Sequence, residues 1–357
     1  MDALLKTYKG KRVLVTGHTG FKGSWLCTWL NMLGADVIGY ALAPYTRKDN
    51  FVLSGLSDRI VDLRGDVRNF RTLKKVFDKH EPEFVFHLAA QSLVRTGYDY
   101  PKETFDVNVG GTINVVENCR LSGSTRSIVI VTSDKCYRNR EWVWGYREND
   151  ELGGYDPYSS SKACAELVTE SYRNAFFNLQ EFKRHGKAIA SGRAGNVIGG
   201  GDWREDRIVP DIIRCLEGGK AVRVRNPQAI RPWQFVLEPL AGYLLLAAGM
   251  YKDHQTYSGA WNFGPASDSF LSVGELVETF LRTYGSGRWY RGRDKTSKKE
   301  SSFLLLDAAK ARAVLGWRPK LSVKEAVGKT VEWYKAYRLR NDMCEFGRQQ
   351  ILQYMTA

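Results

Sequence analysis

Residues 12–34 read RVLVTGHTGFKGSWLCTWLNMLG, and this opening limits the fold more sharply than any other stretch. A short apolar, β-branched run passes straight into Gly17-His18-Thr19-Gly20-Phe21-Lys22-Gly23, after which apolar residues recur at helical spacing. A strand that ends in such a turn and leaves it as a helix is the first half of a βαβ unit. Gly17 allows the tight turn, Gly20 lets the backbone approach a pyrophosphate, and Gly23 lets the helix pack closely. Unpaired N–H groups at the helix start can bind phosphate. The turn therefore predicts a dinucleotide cleft, with Gly17, His18, Gly20, Phe21, Lys22 and Gly23 as its candidate residues. His18 is expected beside a phosphate or in a structural role, since no His/Cys/Asp cluster near it would make a metal site.

The first half of the chain keeps this alternation. Strands are expected at 12–16, 37–40, 59–63, 84–88, 127–132 and 188–193, and helices at 22–33, 70–80, 106–121 and 159–183. Such a pattern builds a parallel sheet covered on both faces. After residue 196 the texture changes: Gly199, Gly200 and Gly201, short helices, Pro227 and Pro232 suggest a smaller, irregular cap over the carboxyl ends of the strands. A strand near 257–263 is expected to return to the sheet. The fold class is thus α/β, a Rossmann-like doubly wound parallel sheet (1–196) with a smaller C-terminal substrate-binding domain (mainly 197–357).

Composition removes several classes. With 357 residues, 43% apolar and 12% aromatic, the chain can bury a core, and it is neither disordered nor fibrous. Six cysteines show neither metal-ligand spacing nor scaffold density, so reduced thiols in a cytoplasmic protein are expected. The uncharged stretch between Glu238 and Lys252 is too short to span a bilayer and reads as a buried helix. Lys and Arg number 53 against 39 Asp and Glu, a net +14. That excess favours polyanions, but no recognition helix or aromatic single-strand platform points to nucleic acid. The basic segment 288–300 reads either as a solvated loop or as a substrate gate.

The end of the second expected strand, VIGYALAPYTRKDN, has no acidic ribose ligand, and Arg47 and Lys48 can accommodate an extra phosphate. NAD and NADP both stay open on these grounds. Asp66 and Val67 are candidates for the adenine edge, Ala89, Ala90 and Gln91 for the cleft wall, and Asn108 for holding nearby backbone. A second constellation is Thr132-Ser133-Asp134-Lys135-Cys136-Tyr137, followed by Tyr158-Ser159-Ser160-Ser161-Lys162. Tyr158 and Lys162 are four apart and share a helix face. A lysine there is expected to favour phenolate, so that Tyr158 takes a hydroxyl proton during hydride transfer while Ser133 holds that hydroxyl.

Together GHTGFKG, TSDKCY and YDPYSSSK resemble the extended short-chain dehydrogenase/reductase family, and within it the nucleotide-sugar 4,6-dehydratases acting on cytidine-linked sugars. The likeness continues through GRAGNVIGGGDW, RIVPD, RPWQFV, WNFGP and DAAKARAVLGWRPKLSV, and so spans roughly residues 9–335. It implies a retained NAD and an internal redox cycle on CDP-D-glucose. The C4 hydroxyl is oxidised, water leaves across C5 and C6, and the hydride returns to C6, giving CDP-4-dehydro-6-deoxy-D-glucose. By the same resemblance Tyr158 and Lys162 are the active pair, Ser133 binds substrate, and Asp134 assists water loss. Lys135 stands where thymidine-linked relatives carry a glutamate base, and it is read either as an amine that takes the C5 proton or as an ammonium that stabilises the enolate.

Arg193 and Asn196 match the family's GRxxNV region, Asn196 as a diphosphate ligand and Arg193 as either ligand or structural residue. Arg231 suits phosphate oxygens, Trp233 is a pocket or core residue, and Trp203 and Arg204 are expected to shape the nucleotide pocket. The loop from Glu141 to Glu148 reads as a lid or as packed periphery. The resemblance also implies a homodimer or homotetramer and deoxysugar synthesis for a bacterial surface polysaccharide. A nucleotide-sugar 4-epimerase is the competing enzyme, which needs no elimination acid, so Asp134-Lys135 favours dehydration. A noncatalytic nucleotide- or nucleic-acid-binding protein is the reading from another class.

Overall fold

A computed structural model describes residues 5–265, 270–292 and 303–357. Its sheet has seven strands: β1 (Arg12–Thr16), β2 (Asp36–Ala41), β3 (Val61–Arg64), β4 (Phe84–His87), β5 (Ser127–Val131), β6 (Ala188–Ala194) and β7 (Gly259–Phe263). Their order is β7-β6-β5-β4-β1-β2-β3, and every neighbouring pair is parallel. The chain leaves β1 in one direction to β3 and then restarts on the other side with β4. That reversal opens a crevice at the carboxyl ends of β1 and β4, where Thr16 is level with His87.

The strands read as apolar runs because both faces are covered. Val13 and Val15 face one core and Leu14 the other. Helices α1 (Phe21–Met32), α2 (Phe70–His80), α3 (Gly111–Leu121) and α4 (Pro157–Ala175) make the connections. Two expected helices are altered. The segment before α3, Asp106–Gly110, is a π turn rather than the helix's first turn. The helix expected to run to residue 183 stops at Ala175, because Phe177 turns into the core and the Asn178 side chain accepts from Gln180 N to start a separate short turn.

The later elements include α5 (Ile208–Glu217), α6 (Leu237–Lys252) and α7 (Met343–Thr356). Apolar α6 is buried along almost all its length. Among the described residues no helix is long and apolar enough to cross a membrane. The core runs across residue 196 without a break: Tyr8 OH donates to Leu244 O at 2.6 Å, Ser127 Oγ to Ala247 O at 2.9 Å, and Trp29 meets Tyr354 edge-on at 5.7 Å. Buried Glu238 ties the C-terminal part down, accepting from Lys320 N, Leu321 N and Tyr354 OH. In the basic segment, Trp289–Arg291 forms a short strand beside Val222–Val224, while Arg293, Lys295, Lys298 and Lys299 lie outside the described residues.

Candidate active site

The sheet crevice widens into a cavity of about 1120 Å³, more than a single drug-sized ligand needs. The glycine turn closes one end. A Cβ on Gly17 would come within 2.7 Å of Ala89 N, and one on Gly23 within 2.1 Å of Gly17 O, so backbone packs where side chains would stand. Gly17 has φ +77°, a conformation glycine takes without strain. No side chain caps the first turn of α1, and Gly17, Gly20, Phe21, Lys22 and Gly23 all line the cavity. Asp66, Val67, Ala89 and Ala90 line the same end. Asp66 is committed to Arg68, whose guanidinium holds its carboxyl below the usual range.

Three expected cofactor contacts lie behind this wall. His18 is fully buried, with Nε2 2.8 Å from Asp62 Oδ1 and its ring edge against Phe51. Burial lowers its pKa despite that carboxylate. Gln91 bonds to Leu93 in its own loop and to Thr104 in the short helix Pro101–Phe105. Asn108, projecting from the π turn, accepts from Gln91 N at 2.9 Å and donates to Gln91 O at 3.0 Å and Ser161 Oγ at 2.8 Å. It holds the cleft loop onto α4.

The reactive groups meet at the middle of the cavity. β5 ends one residue before Thr132, and Ser133 and Asp134 follow in a tight turn. Ser133 Oγ donates to Asp134 Oδ1 at 2.8 Å, while Asp134 Oδ2 is buried and has no hydrogen-bond partner among the described residues. Lys135 is half-buried on the same wall. Across from them α4 starts at Asp156, whose carboxylate accepts from Ser159 N and caps the helix. That cap presents Tyr158 at the first turn and Lys162 one turn later.

Burial pushes the Tyr158 phenol up to about 12, and its hydrogen bond with Ser133 offsets this only in part. Lys162, expected to favour phenolate, instead donates from Nζ to Val131 O at 3.4 Å, and the positive charge that acts on the phenol is that of Arg207. Burial also brings the Lys162 amine down to about 8, with Glu166 pulling the other way.

Sequence reasoning passed over three residues here. Glu166 continues the four-residue spacing of Tyr158 and Lys162, a legible signal. Arg207 opens the RIVPD motif, lines the cavity, and donates to Asp202 Oδ2 at 2.9 Å and Ser92 Oγ at 2.7 Å. Tyr243 carries no motif; it lies in apolar α6, where its OH accepts from Lys22 Nζ at 3.0 Å.

Toward the far end the wall becomes basic. Asn196, Arg204, Arg231 and Trp233 line it as expected, joined by Arg223 and Arg225. Trp233 does so while anchored, donating from Nε1 to Leu271 O at 3.1 Å. Arg193 and Trp203 are not part of this wall. Arg193 is sealed beneath it, with Nη2 2.8 Å from Glu166 Oε2 and Nη1 2.7 Å from Tyr137 OH. Trp203 packs edge-on against Tyr334 at 5.4 Å and Tyr337 at 5.5 Å. The loop bearing Glu141 is packed at its base, where Trp142 stacks on Tyr146 and Tyr146 on Tyr137.

A family model described as GDP-mannose 4,6 dehydratase matches residues 14–330. CDP-glucose 4,6-dehydratase of Salmonella typhimurium is 47% identical over 350 residues, 98% of this chain and 98% of that protein. UDP-glucose 4-epimerase of Mycolicibacterium smegmatis is 26% identical, over 91% of this chain and 98% of that one. Among solved structures, dTDP-glucose 4,6-dehydratase from Streptomyces venezuelae, with NAD and TYD bound, matches with a TM-score of 0.78 at 22% identity, covering 93% of this chain and 99% of that one. At that identity the structural likeness speaks for the fold.

Proposed function

The chain belongs to the GDP-mannose 4,6-dehydratase family, and from that membership we propose that it converts CDP-D-glucose to CDP-4-dehydro-6-deoxy-D-glucose and water. The 47% identity to a CDP-glucose 4,6-dehydratase supports the choice of substrate. The observation that carries the reaction type is the partnerless, buried Asp134 Oδ2 beside Ser133 and Tyr158. A 4-epimerase needs the Ser and the Tyr/Lys pair but no acid at C6.

The residues fit an NAD at the glycine end, because Gly17 and Gly23 let the turn and α1 pack closely on backbone, and Gly20 and the first turn of α1, which no side chain caps, line the cavity. Bound there, NAD supplies the acceptor and later the donor of the hydride, and a positive charge on its oxidised ring. Arg47 and Lys48 do not line the cavity, and Lys48 is turned onto Trp203 and Glu217, which supports NAD over its phosphorylated form. Gly20 and the first turn of α1 receive the pyrophosphate. Arg207 places positive charge beside the Tyr158 phenol and favours its taking the C4 hydroxyl proton, with Ser133 holding that hydroxyl and Lys162 one helix turn away. The resulting ketone acidifies C5–H. Lys135 meets C5 as base or enolate partner, and Asp134 delivers a proton to the departing C6 hydroxyl. Arg231, Arg204 and Asn196 serve the diphosphate, so residues after 196 mainly hold the nucleotide sugar.

Incubation with CDP-D-glucose and NAD, with mass and NMR analysis of the product, tests this. A 6-deoxy-4-keto sugar is expected; a C4 epimer alone would overturn the reading. In the same assay Asp134→Asn is expected to slow product formation by about 10²-fold or more while reduction of the cofactor persists. Unchanged turnover would remove Asp134 from the acid role.

A homodimer is also part of this reading. Phe105, Ile113 and Leu121 around α3, and Leu167 and Phe176 along α4, are large apolar side chains left exposed. Two copies pairing through these helices would cover them. Sedimentation as a monomer at micromolar concentration would count against the pairing.

A further inference from the structure

Lys22 is a half-buried amine on the cavity wall to which the reaction above gives no task. It lies in the first turn of α1, with Nζ donating to Tyr243 OH at 3.0 Å and standing 5.0 Å from the centre of that ring. Tyr243 is itself fully buried, wedged so that a Cβ on Gly192 would come within 2.7 Å of its ring. Tyr243 cannot move without repacking, so its hydroxyl holds the amine at this place on the wall. An apolar side chain would occupy this place with no charge to desolvate, so the amine calls for a use.

The groups that face it come from four directions. Tyr243 projects from α6, Lys162 from α4, Arg207 from the approach to α5, and Asp134 from the end of β5. Burial first, and then the two cations, bring the Lys22 amine down to about 7, while Asp134 works against them. The side chain therefore changes charge near neutrality. Lys22 follows Gly20 by two residues at the start of α1, lines the same cavity as Ser133 and Tyr158, and its amine feels the charges of Lys162 and Asp134 at the reactive end. With NAD bound, the redox ring would meet the carbon whose hydroxyl Tyr158 and Ser133 hold, and Lys22 would stand beside it.

Resting on the NAD reading above, we propose that Lys22 tunes the redox balance of the bound cofactor, its ammonium favouring the reduced, uncharged ring over the oxidised, cationic one. When C4 gives up its hydride, two electrons and one hydrogen reach the ring and cancel its positive charge, while the hydroxyl proton leaves to Tyr158. Removing that charge relieves the repulsion felt by Lys22, so reduction and proton uptake by the amine are linked. The linkage steadies the keto intermediate while water is eliminated. Tyr243 acts through Lys22, as a positioning residue.

The test is binding, not turnover. Dissociation constants for NAD⁺ and NADH are measured by fluorescence from about pH 6 to about pH 9, on the full chain and on Lys22→Met and Tyr243→Phe. The wild-type preference for NADH is expected to fall on the order of tenfold as the pH rises through the Lys22 transition. Lys22→Met should lose that transition and show the weaker preference throughout; any inflection it keeps at higher pH belongs to Lys162. Tyr243→Phe retains the amine without its hydrogen-bond acceptor, so the transition should move to lower pH. A Met variant with the wild-type preference and pH dependence overturns the proposal, as does a Phe variant whose transition stays in place. A wild-type chain that binds neither dinucleotide overturns the NAD reading and this inference with it, a different signature from the first two.

Discussion

Tyr158→Phe is expected to lower turnover by about 10²- to 10⁴-fold while both ligands still bind within a few-fold. The loss is that large because the Tyr158 oxygen, as phenolate, is the group that takes the C4 hydroxyl proton. Ser133 can hold the hydroxyl, but its own proton is directed to Asp134 Oδ1. The Lys162 amine points at Val131 O. Burial raises the phenol to about 12, so the wild-type protein relies on surrounding positive charge to release the phenol's proton. Phe keeps the ring and leaves the close approach of the residue's backbone and Cβ to Gly97 unchanged, and stability should change by no more than about 1 kcal/mol. Stopped-flow absorbance of cofactor reduction, with calorimetric binding of CDP-glucose, separates the two effects. A Phe variant within tenfold of wild-type turnover would remove Tyr158 from the reaction.

The second large effect is on stability. Arg193 and Glu166 form an ion pair whose side chains are 4% and 3% exposed. Glu166 also accepts from Thr132 Oγ1 and from Ser191 Oγ at 2.6 Å, and Arg193 donates to Glu148 O at 3.0 Å. Burial alone would raise the Glu166 carboxyl, yet the guanidinium and the hydroxyls hold it below the usual range. Arg193→Met strands a carboxylate in the core, and a loss of about 3–5 kcal/mol follows. Combining it with Glu166→Leu should recover much of that loss, since two apolar side chains leave no charge unpaired. Urea unfolding of the single and double variants measures both. A single variant costing under about 1 kcal/mol would show that the pair is not what holds this layer. Turnover should fall as well, because Thr132, fixed by Glu166, adjoins Ser133.

The glycine turn and the Tyr/Lys pair were legible in the sequence because each role requires a residue type at a fixed spacing. Strand β7 could be placed from its apolar run, and the buried α6 from its lack of charge. What the sequence hid were choices decided by the far side of the fold. Arg193 sits in a motif that invites a ligand, but Glu166 and Tyr137 claim its guanidinium first. His18 lies inside the phosphate turn, yet its ring faces inward to Asp62. Trp203 follows the glycine cluster and is taken by Tyr334 and Tyr337, more than a hundred residues away. Tyr243 had no motif at all; only packing brings it to Lys22. The helix expected to extend through residue 183 kept a plausible pattern past Ala175, and its end is set by the tertiary burial of Phe177.

The last strand of the sheet is made late. β7 pairs with β6, and α6, which lies over β5 and β6, is also encoded after the first six strands. During synthesis, β6 therefore emerges with one row of backbone donors and acceptors open and an apolar face bare. Such an edge invites pairing with other chains. A chain cut short before residue 259 would keep that hazard permanently, which makes truncations between the two strands poor candidates for soluble fragments. For the whole protein, the interval in which the ribosome adds the connecting segment is the time when it most needs protection.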